Sequence, residues 1–255
     1  MQQGLFDQAA LQARPTRGIG WWCKWTLVLV ATAFLALQAW YFAQVLSLVR
    51  HNPISTAFMQ AQAEALGQAG KPAPLKHQWV DIARIGEPLK RTVLVAEDAR
   101  FVDHFGIDWI AIQRAWATNL EREEIAFGGS TITMQLAKNL YLSGARSYWR
   151  KGQEVLIAMM LEVVLSKERI LELYLNCAQW GRDVFGAQAA ARHYYQTDAA
   201  RLSVRQAARL AAMLPRPAYY EKSPGSDYLS RRAARTRVCP DALLRCRVTG
   251  GIDKS

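Results

Sequence analysis

From Trp25 to Val49 the chain reads WTLVLVATAFLALQAWYFAQVLSLV, with no charged residue. Built as a helix at 1.5 Å per residue, such a run is roughly 37 Å long, enough to cross a hydrocarbon core of ~30 Å with some tilt. Trp21, Trp22 and Trp25 sit at one end and Trp40, Tyr41 and Phe42 at the other, where amphipathic rings favour the membrane–water interface. A cleavable signal peptide is the rival reading. Its apolar core would span about 7–15 residues, and the triplet Ala61-Gln62-Ala63, which looks like a cleavage site, lies well past the run. An uncleaved transmembrane helix is the expectation. Arg14, Arg17 and Lys24 precede it, while Arg50 is the only Lys or Arg between it and Lys71. The positive-inside bias keeps the short N-terminus in the cytoplasm and sends residues 51–255 across the membrane.

With 255 residues, 51% of them hydrophobic, the chain can bury one good core besides the membrane segment, but hardly two catalytic domains. The formal charge of +11 then belongs to a domain outside the membrane, which meets anionic headgroups and phosphorylated lipids rather than nucleic acid. Part of that charge, at Arg231, Arg232, Arg235 and Arg237, reads as a solvated helix face or a headgroup contact. Cys239 and Cys246 could close a small disulfide in an oxidising compartment. The four histidines are scattered relative to the cysteines, so no zinc spacing exists.

Past the membrane the hydrophobic pattern is helical throughout, which predicts an all-α domain. Pro88 is placed to open a helix that ends near Glu97, and Asp108 to cap one through Trp109, Ile112 and Trp116. Ser130 is the expected cap of the next helix, toward Tyr141. A long helix follows over 147–165, then one from Ser166 to Leu175. Ser203 and Gln206 fit a capping box for 204–214, stopped by Pro215 and Pro217.

Two segments carry chemistry. The first, EDARFVDHFG (97–106), sets Glu97 and Asp98 beside an aromatic ring and His104. A base that must take a proton from a sugar hydroxyl works best partly desolvated, which raises its proton affinity toward neutrality; ordinary surface carboxylates at a helix end are the alternative. His104 reads as a support for the loop. The second, GGSTITMQLAK (128–138), places a Gly-Gly-Ser turn before a helix, with Lys138, Arg146, Arg150 and Lys151 following. Free amides at a helix N-terminus plus mobile cations suit a pyrophosphate. Glu154 is four residues from Arg150 on one helix face; it either pairs with the cations or helps hold a divalent metal.

These segments, with RKGQE (150–154), ILELYLN (170–176), Gly181, Gly186 and AAMLPRP (211–217), resemble the five ordered motifs of the family 51 peptidoglycan glycosyltransferases over about residues 75–230. The single membrane anchor is similar to that of the monofunctional members. The resemblance implies a mainly helical, lysozyme-like lobe plus a small membrane-proximal jaw, for which residues 105–127 with Phe105, Ile107, Trp109, Ile110 and Trp116 are the candidate. It implies an inverting polymerisation of lipid II into a glycan strand at the outer, periplasmic face of the bacterial inner membrane, with undecaprenyl pyrophosphate as leaving group. Glu97 would be the general base and Glu154 the second catalytic carboxylate. Asp98, Ser130, Thr131, Gln135, Lys138, Arg146, Arg150 and Lys151 would bind substrate. The resemblance leaves a cofactor requirement open, with a divalent cation (Mg or Mn) at Glu154 as an option, and cell-wall assembly proteins are potential partners.

The expected organisation is thus a tail (1–24), a membrane helix (25–49), a linker (50–74), the catalytic domain (75–230) and a basic variable tail (231–255). Met134 departs from the motif, which commonly has a glutamine there, and Gln153 stands where a lysine is frequent. A bifunctional penicillin-binding protein is excluded, since no Ser-x-x-Lys or Lys-Thr-Gly motif occurs. A cell-wall hydrolase would share the glutamate but would not need Lys138, Arg146, Arg150 and Lys151, because no phosphate leaves in cleavage.

Overall fold

A computed structural model describes residues 19–70, 74–122, 129–142 and 147–237. Gly128, Arg146, Cys239 and Cys246 lie outside the described residues. The described residues are 70% helical and 2% strand, as the hydrophobic pattern requires. Among the described residues there are eleven α-helices: α1 (Ile19–Ser47), α2 (Ala57–Gln68), α3 (Glu87–Glu97), α4 (Trp109–Arg122), α5 (Ile132–Tyr141), α6 (Tyr148–Val164), α7 (Lys167–Cys177), α8 (Ala187–Tyr195), α9 (Val204–Met213), α10 (Pro217–Lys222) and α11 (Asp227–Arg237). The strands β1 (Lys76–His77) and β2 (Val184–Phe185) form one short parallel pair.

Through Gln44 the chain is one unit, and from Val45 onward it is another. The first is formed by α1, whose window Gly20–Ser47 has a mean hydropathy of 1.7 and is long and apolar enough to cross a membrane. The helix starts before the expected span and so includes Lys24 near its beginning.

In the second unit the helix starts follow capping chemistry. Thr56, Ser147 and Ser166 each accept the amide three residues on, opening α2, α6 and α7. Ser203 and Gln206 make the capping box of α9. Asp108 Oδ1 accepts from the Ala111 amide at 2.9 Å and so opens α4. At α5 the cap is Thr131, whose hydroxyl accepts from Met134 N at 3.2 Å, and not Ser130. Pro217, expected only to stop α9, also starts α10, where a missing N–H costs nothing.

Two packed groups make the core. In one, α9 lies between α3 and α11. The small residues Ala207, Ala208, Ala211 and Ala212 are fully buried on α9 and let Leu89 and Val93 of α3 and Leu229 and Ala233 of α11 approach closely. In the other, α5 is enclosed by α2, α6 and α7, with Ile132, Leu136 and Ala137 fully buried. Asn176 at the end of α7 accepts from Val80 N at 3.0 Å and donates to Val80 O at 2.9 Å, so its amide pairs with the chain as a strand would. This arrangement sets the C-terminus of α3 against the N-terminus of α5.

Candidate active site

The end of α3, the face of α4 and the entry to α5 enclose a cleft of ≈340 Å³ lined by Glu97, Asp98, Arg100, Asp108, Arg114, Ser130 and Thr131 among others. Glu97 is the last residue of α3, and its side chain is only 10% exposed. Gln135 Nε2 donates to Glu97 Oε2 at 3.0 Å; Tyr174 donates its hydroxyl to Gln135 Oε1 at 3.0 Å. An amide must present its nitrogen to a carboxylate, so the hydroxyl on its oxygen fixes its orientation. Burial pushes the Glu97 carboxyl above the ordinary glutamate value, against the lowering effects of Gln135 and Arg232, and the neighbouring Asp98 charge adds to the rise. Tyr174 is raised well above the ordinary phenol range, chiefly by burial, and stays a neutral donor.

Asp98, expected to touch substrate, is buried with its oxygens engaged by the fold. His104 Nε2 lies 2.9 and 3.0 Å from them, and the Ile132 amide donates to Oδ2 at 3.0 Å. The carboxylate therefore meets the N-terminus of α5, the end at which a helix favours negative charge. Thr131, besides capping α5, donates to Gly106 O at 2.6 Å. Gly106 has φ +73°, a left-handed conformation that glycine adopts without a Cβ clash. His104 supports this loop as expected.

Across the cleft, Ser130 is released from capping and accepts from Lys151 Nζ at 2.9 Å. Lys151 also bonds Glu154 Oε2 at 2.8 Å, and Arg150 bonds Glu154 Oε1. The Glu154 side chain is 5% exposed. Ser130, Arg150, Lys151 and Glu154 are thus one connected group, and Ser130 belongs to the same cleft wall as Glu97. Both oxygens of Glu154 already face cations, and among the described residues no second carboxylate joins them. That donor set does not fit a divalent metal, whose charge would compete with the guanidinium and the ammonium. Asp98, His104 and Asp108 bring potential ligand atoms within 4.8 Å of one another, but Asp98 is engaged as above and Asp108 bonds Arg100 and the Ala111 amide.

Lys138, one turn on from Gln135, lies with Nζ 5.6 Å from the centroid of Phe58 on α2. Met134 is buried and lines a second, apolar recess of ≈360 Å³ with Ile107, Trp109, Ile112, Trp116 and Lys151. The amide missing at Met134 is therefore missing from that recess, while Gln135 keeps the contact to Glu97. Gly129 is required by close approach, since a Cβ there would lie 2.6 Å from Ile112 Cγ1. Phe105, Trp109, Ile110 and Trp116 are exposed.

The sequence pattern marks none of Arg114, Tyr174 and Arg232 as site residues. Arg232 of α11 donates from Nη2 to Glu97 Oε1 at 3.1 Å and to Ala96 O at 3.2 Å. The sequence places it in a variable tail, on a solvated helix face or at a headgroup contact. The signal was present in the spacing of Leu229, Ala233 and Thr236, an i, i+4, i+7 stripe that buries one side of α11.

Glu97 thus lines a cleft whose wall also holds Arg100, Arg114 and Ser130, and Ser130 links that wall to Lys151, Glu154 and Arg150. The family model described as Transglycosylase matches residues 62–239, a span that takes in α11. The chain is 50% identical over 208 residues to the biosynthetic peptidoglycan transglycosylase of Janthinobacterium sp. (strain Marseille), covering 82% of this chain and 90% of that protein. It is 53% identical over 210 residues to the protein so named in Methylobacillus flagellatus, at 82% and 92% coverage. For the Bordetella pertussis protein of that name the identity is 50% over 228 residues, at 87% and 94%. The chain belongs to the transglycosylase family of glycosyl-transferring enzymes.

Proposed function

We propose that this chain is a peptidoglycan glycosyltransferase that polymerises lipid II into β-1,4-linked glycan strands, releasing undecaprenyl pyrophosphate. The observation that carries the reading is Glu97: a nearly buried carboxylate with raised proton affinity, oriented by Gln135, in the wall of a cleft that also holds Ser130. Glu97 takes the proton from the 4-hydroxyl of the acceptor's terminal GlcNAc as that oxygen attacks the anomeric carbon of the donor. The O4–C1 bond forms, the C1–O bond to the pyrophosphate breaks with inversion, and the electron pair leaves with the lipid pyrophosphate. The proton on Glu97 passes to solvent before the next cycle.

The leaving group needs positive charge beside it, and Arg150 and Lys151, aligned by Glu154, supply it with the Ser130 hydroxyl. Lys138 and Arg146 complete the expected grip on the pyrophosphate. The names of the relatives and the order of the motifs support the same substrate class. The substrate's lipid tail stays in the bilayer, so the exposed Trp109 and Trp116 and their neighbours serve as the membrane-dipping jaw. With α1 as a single anchor and basic residues ahead of it, the catalytic unit stands on the periplasmic face of the inner membrane.

The test uses purified full-length protein in detergent with labelled lipid II. Long glycan strands are expected from the wild type and none from Glu97→Gln, with both proteins melting as folded species. Polymerisation that survives the substitution would refute Glu97 as base. Release of soluble muropeptides from finished sacculi without polymerisation would make the chain a hydrolase.

A further inference from the structure

The Glu97 carboxylate is held from both sides, and the two partners come from helices far apart in the sequence, α5 and α11. Oε2 receives Gln135 of α5 at 3.0 Å, and Oε1 receives Arg232 of α11 at 3.1 Å. The guanidinium is itself located by three acceptors: Glu97 Oε1, Ala96 O at 3.2 Å and the Tyr228 hydroxyl at 3.4 Å. Its side chain is 28% exposed, and its Nε–H is buried with no partner among the described residues. Arg232 therefore depends on the end of α3 for its strongest acceptor.

The helix that carries Arg232 is not free to drift. Leu229 is fully buried and Ala233 and Thr236 nearly so, against α9 and α3. Tyr228 at its start stacks on Tyr220 of α10, with ring centroids 5.7 Å apart and planes 3° from parallel. Arg232 lies one turn from Leu229 on the buried side, which aims it at the α3 C-terminus.

Resting on the reading of Glu97 as base, we infer that Arg232 is a positioning residue for the reaction: from the C-terminal helix it orients the Glu97 carboxylate and sets the pH range over which that base works. Among the described residues, the other groups that face Glu97 are few. Asp98 follows it on the chain and opposes ionisation; Tyr174 of α7 is neutral and Gln135 of α5 uncharged. Arg100, paired with Asp108, and Arg114 of α4 line the same cleft. Among these, Arg232 is the one cation whose hydrogen bond to the carboxylate is direct. Its charge and hydrogen bond lower the proton affinity that burial raises. A carboxylate bound on both oxygens also loses the freedom to rotate out of line with the acceptor hydroxyl.

The experiment measures lipid II polymerisation by full-length Arg232→Gln and Arg232→Lys from about pH 5.5 to 9, with thermal melting of each protein. Without the guanidinium the base binds its proton more tightly, so the acid limb of kcat moves to higher pH. For Arg232→Gln we expect roughly tenfold lower kcat at the acid end and recovery to within about threefold at the alkaline end. KM for lipid II should change little. Arg232→Lys, which keeps a charge on a differently shaped head, should show a smaller movement in the same direction. A profile scaled down equally at every pH would overturn the inference, because a role in folding alone produces that pattern. So would an unchanged profile. Should Arg232→Gln not fold, Arg232→Lys decides: a wild-type limb, or a rise in KM alone, refutes the positioning role. Failure of the underlying reading looks different, since then Glu97→Gln itself retains polymerisation.

Discussion

Gln135 donates to the Glu97 carboxylate at 3.0 Å across 38 residues of sequence. This bond joins the end of α3 to the second turn of α5, and the same amide is aligned from behind by the Tyr174 hydroxyl. The carboxylate is thus placed by α3, α5 and α7, with Arg232 of α11 on its other oxygen, and not by the loop that follows it. Its chemistry can be probed at each link.

The first link is the carboxylate itself. Glu97→Gln should lower the rate of polymerisation by about 10²–10⁴, the range for loss of a general base. In the wild type, the rate should fall as pH drops through a midpoint above the ordinary glutamate value, because burial raises the proton affinity and only the ionised form accepts a proton. A pH–rate profile of kcat checks both. A flat profile through the acid range would contradict the assignment.

Tyr174→Phe removes one hydroxyl and leaves the Gln135 oxygen without its donor in a buried place. The expected cost in stability is about 1–3 kcal/mol, read by denaturant melting. kcat should fall severalfold while KM holds, since the amide loses its preferred orientation. An unaltered kcat in a destabilised protein would restrict Tyr174 to packing.

Glu154→Gln should release Arg150 and Lys151 from their shared partner. The group is nearly buried, so two cations lose compensation at once, a loss of about 1–3 kcal/mol after allowance for the partly exposed Lys151. Polymerisation should decline with a rise in KM for lipid II. Added Mg or Mn should not rescue it, because the donor set around Glu154 suits cations of the protein and not a metal. Steady-state kinetics with and without the ions decide this.

Gly129→Ala tests the wall between the cleft and the apolar recess. A Cβ 2.6 Å from Ile112 Cγ1 forces α4 or the entry to α5 to shift. Overpacking of this kind costs about 1–3 kcal/mol, and activity should fall with it. A calorimetric melt indistinguishable from wild type would show that the contact relaxes freely.

Much of this site could be read in the chain. Glu97, Gln135, Ser130, Arg150, Lys151 and Glu154 were marked by local pattern and ordered motifs, and the structure brings them to one cleft or to side chains bonded to it. The parts that escaped reading share a cause. Ser130 and Thr131 are adjacent and both suited to cap a helix; only the position of Gly106, which holds the Thr131 hydroxyl, and of Lys151, which binds Ser130, separates their roles. Asp98 stands beside Glu97 with the same chemistry, yet His104 and the Ile132 amide claim it. Arg232 lay in a basic stretch whose cations resemble one another on paper.

Local order needed no tertiary information. The uncharged run that becomes α1, the all-helical character, the Ser166 start and the Ser203–Gln206 box follow from hydropathy period and from side chains that reach their own backbone. The division of labour among like residues did not. Which carboxylate faces the cleft, which hydroxyl is free, and which arginine meets the base depend on long-range packing of α3 against α9 and α11 and of α5 against α7. A single sequence writes neighbours along the chain, whereas proton affinity and orientation are set by neighbours in space.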